Sequence, residues 1–206
     1  MNNKTSGQGF STEWSDFCMC KRDLIFMRKQ LQIVILLAFM LVPAGCKKNF
    51  VISDKQRVLF QYEFTNYAWT DDHSGFLIDN EGNVLQYNNP EVWHFFPDED
   101  LIINSAEIDE NIASCTNSGI VIPAGELLRF SACIDNIAAS KISAVKNTAA
   151  DAGTSQFICY QFSEGTGDYK GTLIKMEGDF SCENLNFYSK KVTSWMKDIR
   201  DRISGR

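Results

Sequence analysis

The chain has 206 residues, with 20 Lys and Arg against 26 Asp and Glu and a formal charge of −6. That balance lacks the basic footprint of a nucleic-acid binder, so nucleic acid is excluded as a partner. The stretch after Cys46 is one domain of ordinary size, with room for a proper core and no linker to divide it.

The first informative feature is Met27 to Cys46, MRKQLQIVILLAFMLVPAGC. Arg28 and Lys29 give a positive start, Leu31 to Val42 an almost unbroken apolar run, and Ala44 and Gly45 small residues before Cys46; this is the layout of an export signal. The run is shorter than the roughly 20 apolar residues of a spanning helix, and Pro43 stops it. The stretch resembles a bacterial lipoprotein signal, in which the cysteine receives lipid and becomes the new N-terminus. It departs from that pattern at Pro43, where Leu or a similar residue is usual. A rival cut after Ala44, with Val42 three residues earlier, would release a soluble protein instead. The expected organisation is an N-terminal extension over 1–26 with Met27 as the true start, a signal over 27–45, a polar tether over 46–56 and one globular domain over 57–206. The Cys18-x-Cys20 pair offers two thiols, too few to close a metal site.

Beyond the tether, Val58, Phe60, Tyr62 and Phe64 alternate with Gln61, Glu63 and Thr65, which predicts a strand with one wet face. Thr70 to Gly75 reads as a polar corner. Phe76 to Ile78 and Val84 to Tyr87 then form a hairpin about Asp79-Asn80-Glu81-Gly82, with Gly82 suited to positive φ. Val92 to Phe96, between Pro90 and Pro97, is expected to lie across the core. Asn104 and Glu107 match a capping box and place Ile108, Ile112 and Cys115 on one helical face. Pro123 opens a second helix, carried by Leu127, Phe130, Ile134 and Ile137 and packed beside the first. Lys141 to Ser155 reads as irregular. Phe157 to Phe162 suits a central strand covered on both faces, and Tyr169 to Met176 its partner. A last helix follows from Leu185, Tyr188, Val192, Trp195, Ile199 and Ile203, with Asn184 as N-cap.

This order is α+β: an antiparallel sheet of about five strands with two or three helices packed on one face. Asn66-Tyr67-Ala68-Trp69, Gly75 through Val84, Asp151-Ala152-Gly153 before a strand, and Gly178-Asp179 before the helix bearing Trp195 together resemble a family of uncharacterised bacterial lipoproteins. The resemblance implies location and fold. It brings no activity.

Candidate chemistry is sparse. No G-x-S-x-G elbow, phosphate loop, H-E-x-x-H or dinucleotide fingerprint is present, and no cofactor or metal is expected. His73 and His94 are the two histidines of the chain. His94, among Trp93, Phe95 and Phe96, reads as a packed residue. His73, beside Asp71 and Asp72, is the candidate base of a hydrolase, weighed against plain turn material. Trp69 and Trp93, with Tyr67 and Tyr87, are candidate sugar-stacking rings, weighed against core packing. Cys115, Cys133, Cys159 and Cys182 would meet an oxidising compartment and are the candidate disulfide cysteines, with three connectivities open. The expectation is a non-catalytic binding domain, lipid-anchored through Cys46 on the periplasmic face of an outer membrane, with an envelope protein or glycan as partner. Two alternatives stand beside it: an envelope hydrolase using His73 with Asp71 or Asp72, and a carbohydrate-binding module. A soluble periplasmic or secreted protein is the alternative location.

Overall fold

The alternation that begins at Val58 produces a strand, and the chain then builds a sheet outward from it. A computed structural model describes residues 51–68, 71–95 and 101–205; the signal stretch, Cys46, Trp69 and Phe96 lie outside the described residues. The strands are β1 (Val58–Asn66), β2 (Asp72–Asp79), β3 (Asn83–Asn88), β4 (Ile102–Asn104), β5 (Thr116–Val121), β6 (Lys146–Asn147), β7 (Thr154–Ser163), β8 (Asp168–Gly178) and β9 (Phe180–Glu183). The helices are α1 (Ser105–Ala113), α2 (Ala124–Ser131), α3 (Ile134–Ala138) and α4 (Ser189–Ile203). The fold is α+β around a large antiparallel sheet of order β5-β3-β2-β1-β7-β8-β9-β6, with β4 also pairing β8.

The sheet is thus larger than the five strands expected. The extra members, β4, β5, β6 and β9, are short and lie at or near the sheet edges. Segments such as Thr116-Asn117-Ser118-Gly119 have no apolar alternation to announce them, because pairing with a neighbour, not burial, makes them strands. The long strands match their periodicity. β1 and β7 are central, and the β2–β3 hairpin turns at Gly82 with φ +89°. Asp79 steadies that turn, its Oδ1 accepting from the Glu81 and Asn83 amides at 3.0 and 2.7 Å.

Helices cover both faces of the sheet, not one. On one side Phe60, Tyr62, Phe76, Phe157 and Ile174 meet Leu127 and Phe130 of α2, Ile134 and Ile137 of α3, and Val192, Trp195, Met196 and Ile199 of α4. Trp195 stacks on Phe130 at 4.2 Å and meets the edge of Phe60 at 5.2 Å. Burying one such side chain contributes roughly 1.5 to 3 kcal/mol. On the other side Leu77, Ile158, Tyr160 and Tyr169 pack against Ile103 and Ile108, with Ile112, Cys115 and Trp93 partly buried beside them. α1 and α2 therefore do not lie side by side. Six-residue β5 takes the chain along the sheet edge between them, in place of the direct helix-to-helix turn expected.

Local signals fare differently at the helix ends. The capping box at Asn104 and Glu107 is formed in both directions, each bond 3.0 Å. Asn184, by contrast, is no N-cap. It is buried, donates to the Ile137 carbonyl at 2.9 Å and accepts from Ser189 Oγ at 3.1 Å, so α4 starts at Ser189 and leaves Leu185 63% exposed. The helical spacing that runs from Leu127 to Ile137 also breaks once, since Ala132 and Cys133 separate α2 from α3. The tether ends earlier than its polarity suggests: Ile52 packs on the core, and Gln56 donates to the Val58 and Tyr160 carbonyls at 3.2 and 2.7 Å. Among the described residues, no helix is long and apolar enough to cross a membrane.

Candidate functional site

The polar residues of β1 form the site. Alternation sends Gln61, Glu63 and Thr65 to the α1 side of the sheet, but this face is not wet: Gln61 is 3% exposed and Glu63 7%. Burying polar groups costs free energy unless hydrogen bonds replace water. Gln61 supplies most of the replacement. Its Nε2 donates to Glu63 Oε2 at 2.5 Å and to Tyr87 Oη at 3.3 Å, while its Oε1 accepts from the Tyr160 hydroxyl. Tyr87 Oη in turn donates to the Tyr62 carbonyl at 3.2 Å. Gly75 makes this reach feasible, because it sits between Glu63 and Tyr87 in the cross-strand row, and a Cβ there would lie 2.5 Å from the Tyr87 hydroxyl oxygen.

The two histidines exchange the roles their neighbours suggest. His73 is in β2, opposite Thr65, and 7% exposed, not in a convex polar turn. Its ring lies among Tyr87, Trp93 and Phe95, with centroids 5.1, 5.3 and 4.7 Å away. His94 is the more exposed one. Its Nε2 meets Glu110 Oε2 at 2.6 Å, and its backbone is clipped to α1 by buried Asn111, which accepts from its N–H at 2.8 Å and donates to its carbonyl at 2.9 Å. That clip holds Trp93 and Phe95, on either side of His94, over His73.

The carboxylate near His73 is Glu63, with Oε1 3.8 Å from Nε2, beyond hydrogen-bond range. Asp71 is exposed and Asp72 half-buried, and neither forms an ion pair with the imidazole. Among the described residues His73 Nε2 is buried without a hydrogen-bond partner, so no described hydroxyl or thiol is engaged with it. The His73, Asp71 and Asp72 arrangement of the hydrolase alternative is not assembled. Trp93 does not offer a clean stacking face either: Tyr87 lies 3.9 Å from it, and its Nε1 is buried with no hydrogen-bond partner among the described residues. Tyr87 is buried and Tyr67 exposed.

A cavity of about 600 Å³ opens on Glu63. Thr65 and Tyr67 continue its wall along β1 and beyond, Gln156 and Met176 extend the Glu63 row across β7 and β8, and Phe95, Leu101 and Ile158 complete it. Burial pushes the Glu63 carboxyl up to about 7, against the lowering effect of the Gln61 hydrogen bond. Burial lowers His73, with the Asp72 charge opposing. Tyr87 and Tyr160 are raised well above the ordinary tyrosine range, first by burial and next by the Glu63 charge. A carboxyl so perturbed beside a cavity is a candidate functional position. The sequence signal exists, a Gln-x-Glu pair on a strand with aromatic alternates, but it reads equally well as a solvent face.

The four cysteines are free thiols. Cys115 Sγ donates to the Asn111 carbonyl at 3.2 Å and Cys133 Sγ to that of Arg129 at 3.5 Å, while Cys159 is buried in β7 and Cys182 in β9. Burial pushes Cys115 and Cys159 up to about 12. A second groove, of about 660 Å³, runs between α2, α3 and α4, where Glu126 accepts from the Trp195 indole at 2.6 Å. Glu126, one of its two acids, already serves the Trp195 indole, and the Glu63 cavity, whose carboxyl is pushed up to about 7, is the better candidate. No protein-family model, curated protein or solved structure matches the chain.

Proposed function

We propose that this protein is a lipid-anchored, non-catalytic binding domain of the bacterial cell envelope, and that its ligand sits over Glu63. One observation carries the binding half of the reading: a buried carboxylate at the floor of a cavity of about 600 Å³, with Gln61 as its hydrogen-bond partner. Such a volume suits a small ligand. Among the described residues Gln61, Tyr87 and Tyr160 hydrogen-bond within this cluster and no hydroxyl or thiol engages His73 Nε2, which favours holding a ligand over transforming it. The anchoring half rests on Met27 to Cys46, whose short apolar run and small residues before a cysteine fit lipidation. Two or more acyl chains hold a protein at a membrane firmly, where one does so marginally.

Two measurements test the halves separately. Cys46→Ala moves the protein from the membrane fraction to the soluble periplasm, or leaves an uncleaved precursor; a wild-type protein already soluble and beginning at Gly45 overturns the anchor. For binding, the full chain is incubated with a small-molecule extract of its own envelope and inspected by native mass spectrometry. Wild type retains an adduct, and Gln156→Arg, which places a cation opposite Glu63 in the row, loses it. Equal spectra for the two proteins overturn the cavity as the site.

A further inference from the structure

We propose that the Glu63 cavity takes an alkylated ammonium ion, a small organic cation of the quaternary type. This rests on the reading of the cavity as a ligand site and adds the class of ligand. The first support is an unmatched charge. Glu63 is more than nine-tenths buried, its Oε2 accepts from Gln61, and among the described residues no Lys or Arg lies within ion-pair distance of it. Buried carboxylates are ordinarily paired. The neighbour on its other oxygen, His73 Nε2 at 3.8 Å, is itself buried and has no hydrogen-bond partner among the described residues. An anionic ligand would have to approach that carboxylate, which is costly in a desolvated site.

The second support is the wall. Tyr67 and Phe95 bring aromatic rings, and Ile158 and Met176 bring apolar and thioether surface. Rings attract a cation through their negative faces, more strongly when water is excluded. A bare metal ion needs several ligating side chains, and among the described residues no group of three His, Cys, Asp or Glu is placed to hold one. A primary ammonium carries three donors and would look for more acceptors than Glu63, Gln156 and Thr65 readily align. A quaternary head needs only charge and soft surface, which is what this cavity offers.

Charge matching also predicts a pH response. Among the described residues, His73 on β2 lies 3.8 Å from Glu63, and the Glu63 charge acts on Tyr67 after β1, Tyr87 on β3 and Tyr160 on β7. Asp72, Asp71 and Cys115 act in turn on His73, Tyr67 and Tyr87. Burial holds His73 toward its neutral form and keeps the tyrosines and Cys115 protonated. Among the described groups, Glu63 is the one lifted into the neutral range, to about 7. A cation binds its ionised form, so affinity strengthens as pH rises through that value.

The experiment titrates the full chain, in mild non-ionic detergent, with choline, with the uncharged alcohol in which carbon replaces the choline nitrogen, and with pivalate. Choline binds, its affinity rises roughly tenfold between pH 6 and pH 8 as the carboxyl ionises, the alcohol is at least roughly tenfold weaker, and pivalate does not bind. Glu63→Gln removes both the pH response and the preference for choline. Phe95→Ala, at a half-exposed position that does not threaten folding, weakens choline several-fold and serves should the Glu63 variant fail to fold. Equal binding of choline and its alcohol, or a choline affinity flat in pH, overturns the cation while leaving a ligand cavity standing. Binding of none of the three, together with no adduct from the envelope extract, overturns the cavity reading as well.

Discussion

The two faces of this sheet are made by the same strands and differ in almost every physical respect. Toward α2, α3 and α4, β1 presents Phe60 and Tyr62, and β7 presents Phe157 and Cys159, to an apolar layer in which the Trp195 N–H finds Glu126. Toward α1, the alternate residues of β1 are Gln61 and Glu63, with His73 and Tyr87 beside them, and two buried ring nitrogens lack partners among the described residues. The first face maximises apolar burial. The second forgoes stability to hold a carboxyl, an imidazole and two phenols in fixed places, a trade expected at ligand sites and wasteful anywhere else.

The contrast is broken most severely by truncating the dry face. Trp195→Ala is expected to lower stability by about 3 to 5 kcal/mol, the range for a large buried aromatic, read as a shift in denaturant midpoint with unchanged slope. The polar face answers in the opposite direction. Because Glu63 is raised from 4.5 to about 7, the folded chain holds a proton that the unfolded chain releases. Its contribution is fully favourable below about pH 4.5, declines as pH rises, and reaches its full penalty above about pH 7. Glu63→Gln should therefore stabilise the protein by about 3 kcal/mol at pH 8 and change little at pH 4, seen in urea melts at the two pH values. His73, lowered by burial, works with the opposite sign, its stability being lost as pH falls below its ordinary range. It is common to both proteins in that comparison and leaves their difference to Glu63. A variant that is no more stable at pH 8 would mean that Glu63 already has a compensating charge.

Two smaller substitutions sharpen the boundary. Gly75→Ala introduces a Cβ 2.1 Å from the Tyr62 carbonyl oxygen and 2.5 Å from the Tyr87 hydroxyl oxygen. It should cost about 1 to 3 kcal/mol, as overpacking does, and displace the phenol from Gln61, visible as a change in the tyrosine near-ultraviolet signal. His94→Gln removes a pair whose Glu110 partner is largely exposed, so its effect should stay below about 1 kcal/mol. Equal losses at His94 and Gly75 would contradict the division between a buried cluster and a surface clip.

Much of the scaffold is legible because local physics writes it. The period-two run from Val58, the continuous apolar run from Phe157, the Gly82 turn and the Asn104 capping box each depend on a few neighbouring residues, and each is found where its pattern places it. The short strands are not legible, since Thr116 to Val121 becomes a strand only by lying along β3. The candidate site is legible in composition but not in place. His94 looks packed by its aromatic neighbours and His73 looks wet by its acidic ones, yet Asn111, 17 residues away, turns His94 outward, and the paired strands turn His73 inward. The order of amino acids alone dictates the alternation that gives β1 one apolar and one polar face. Whether the polar face meets water or protein is decided by α1 and the 91–95 segment coming to rest on it, because burial is a property of long-range packing and leaves no trace in the residues that become buried.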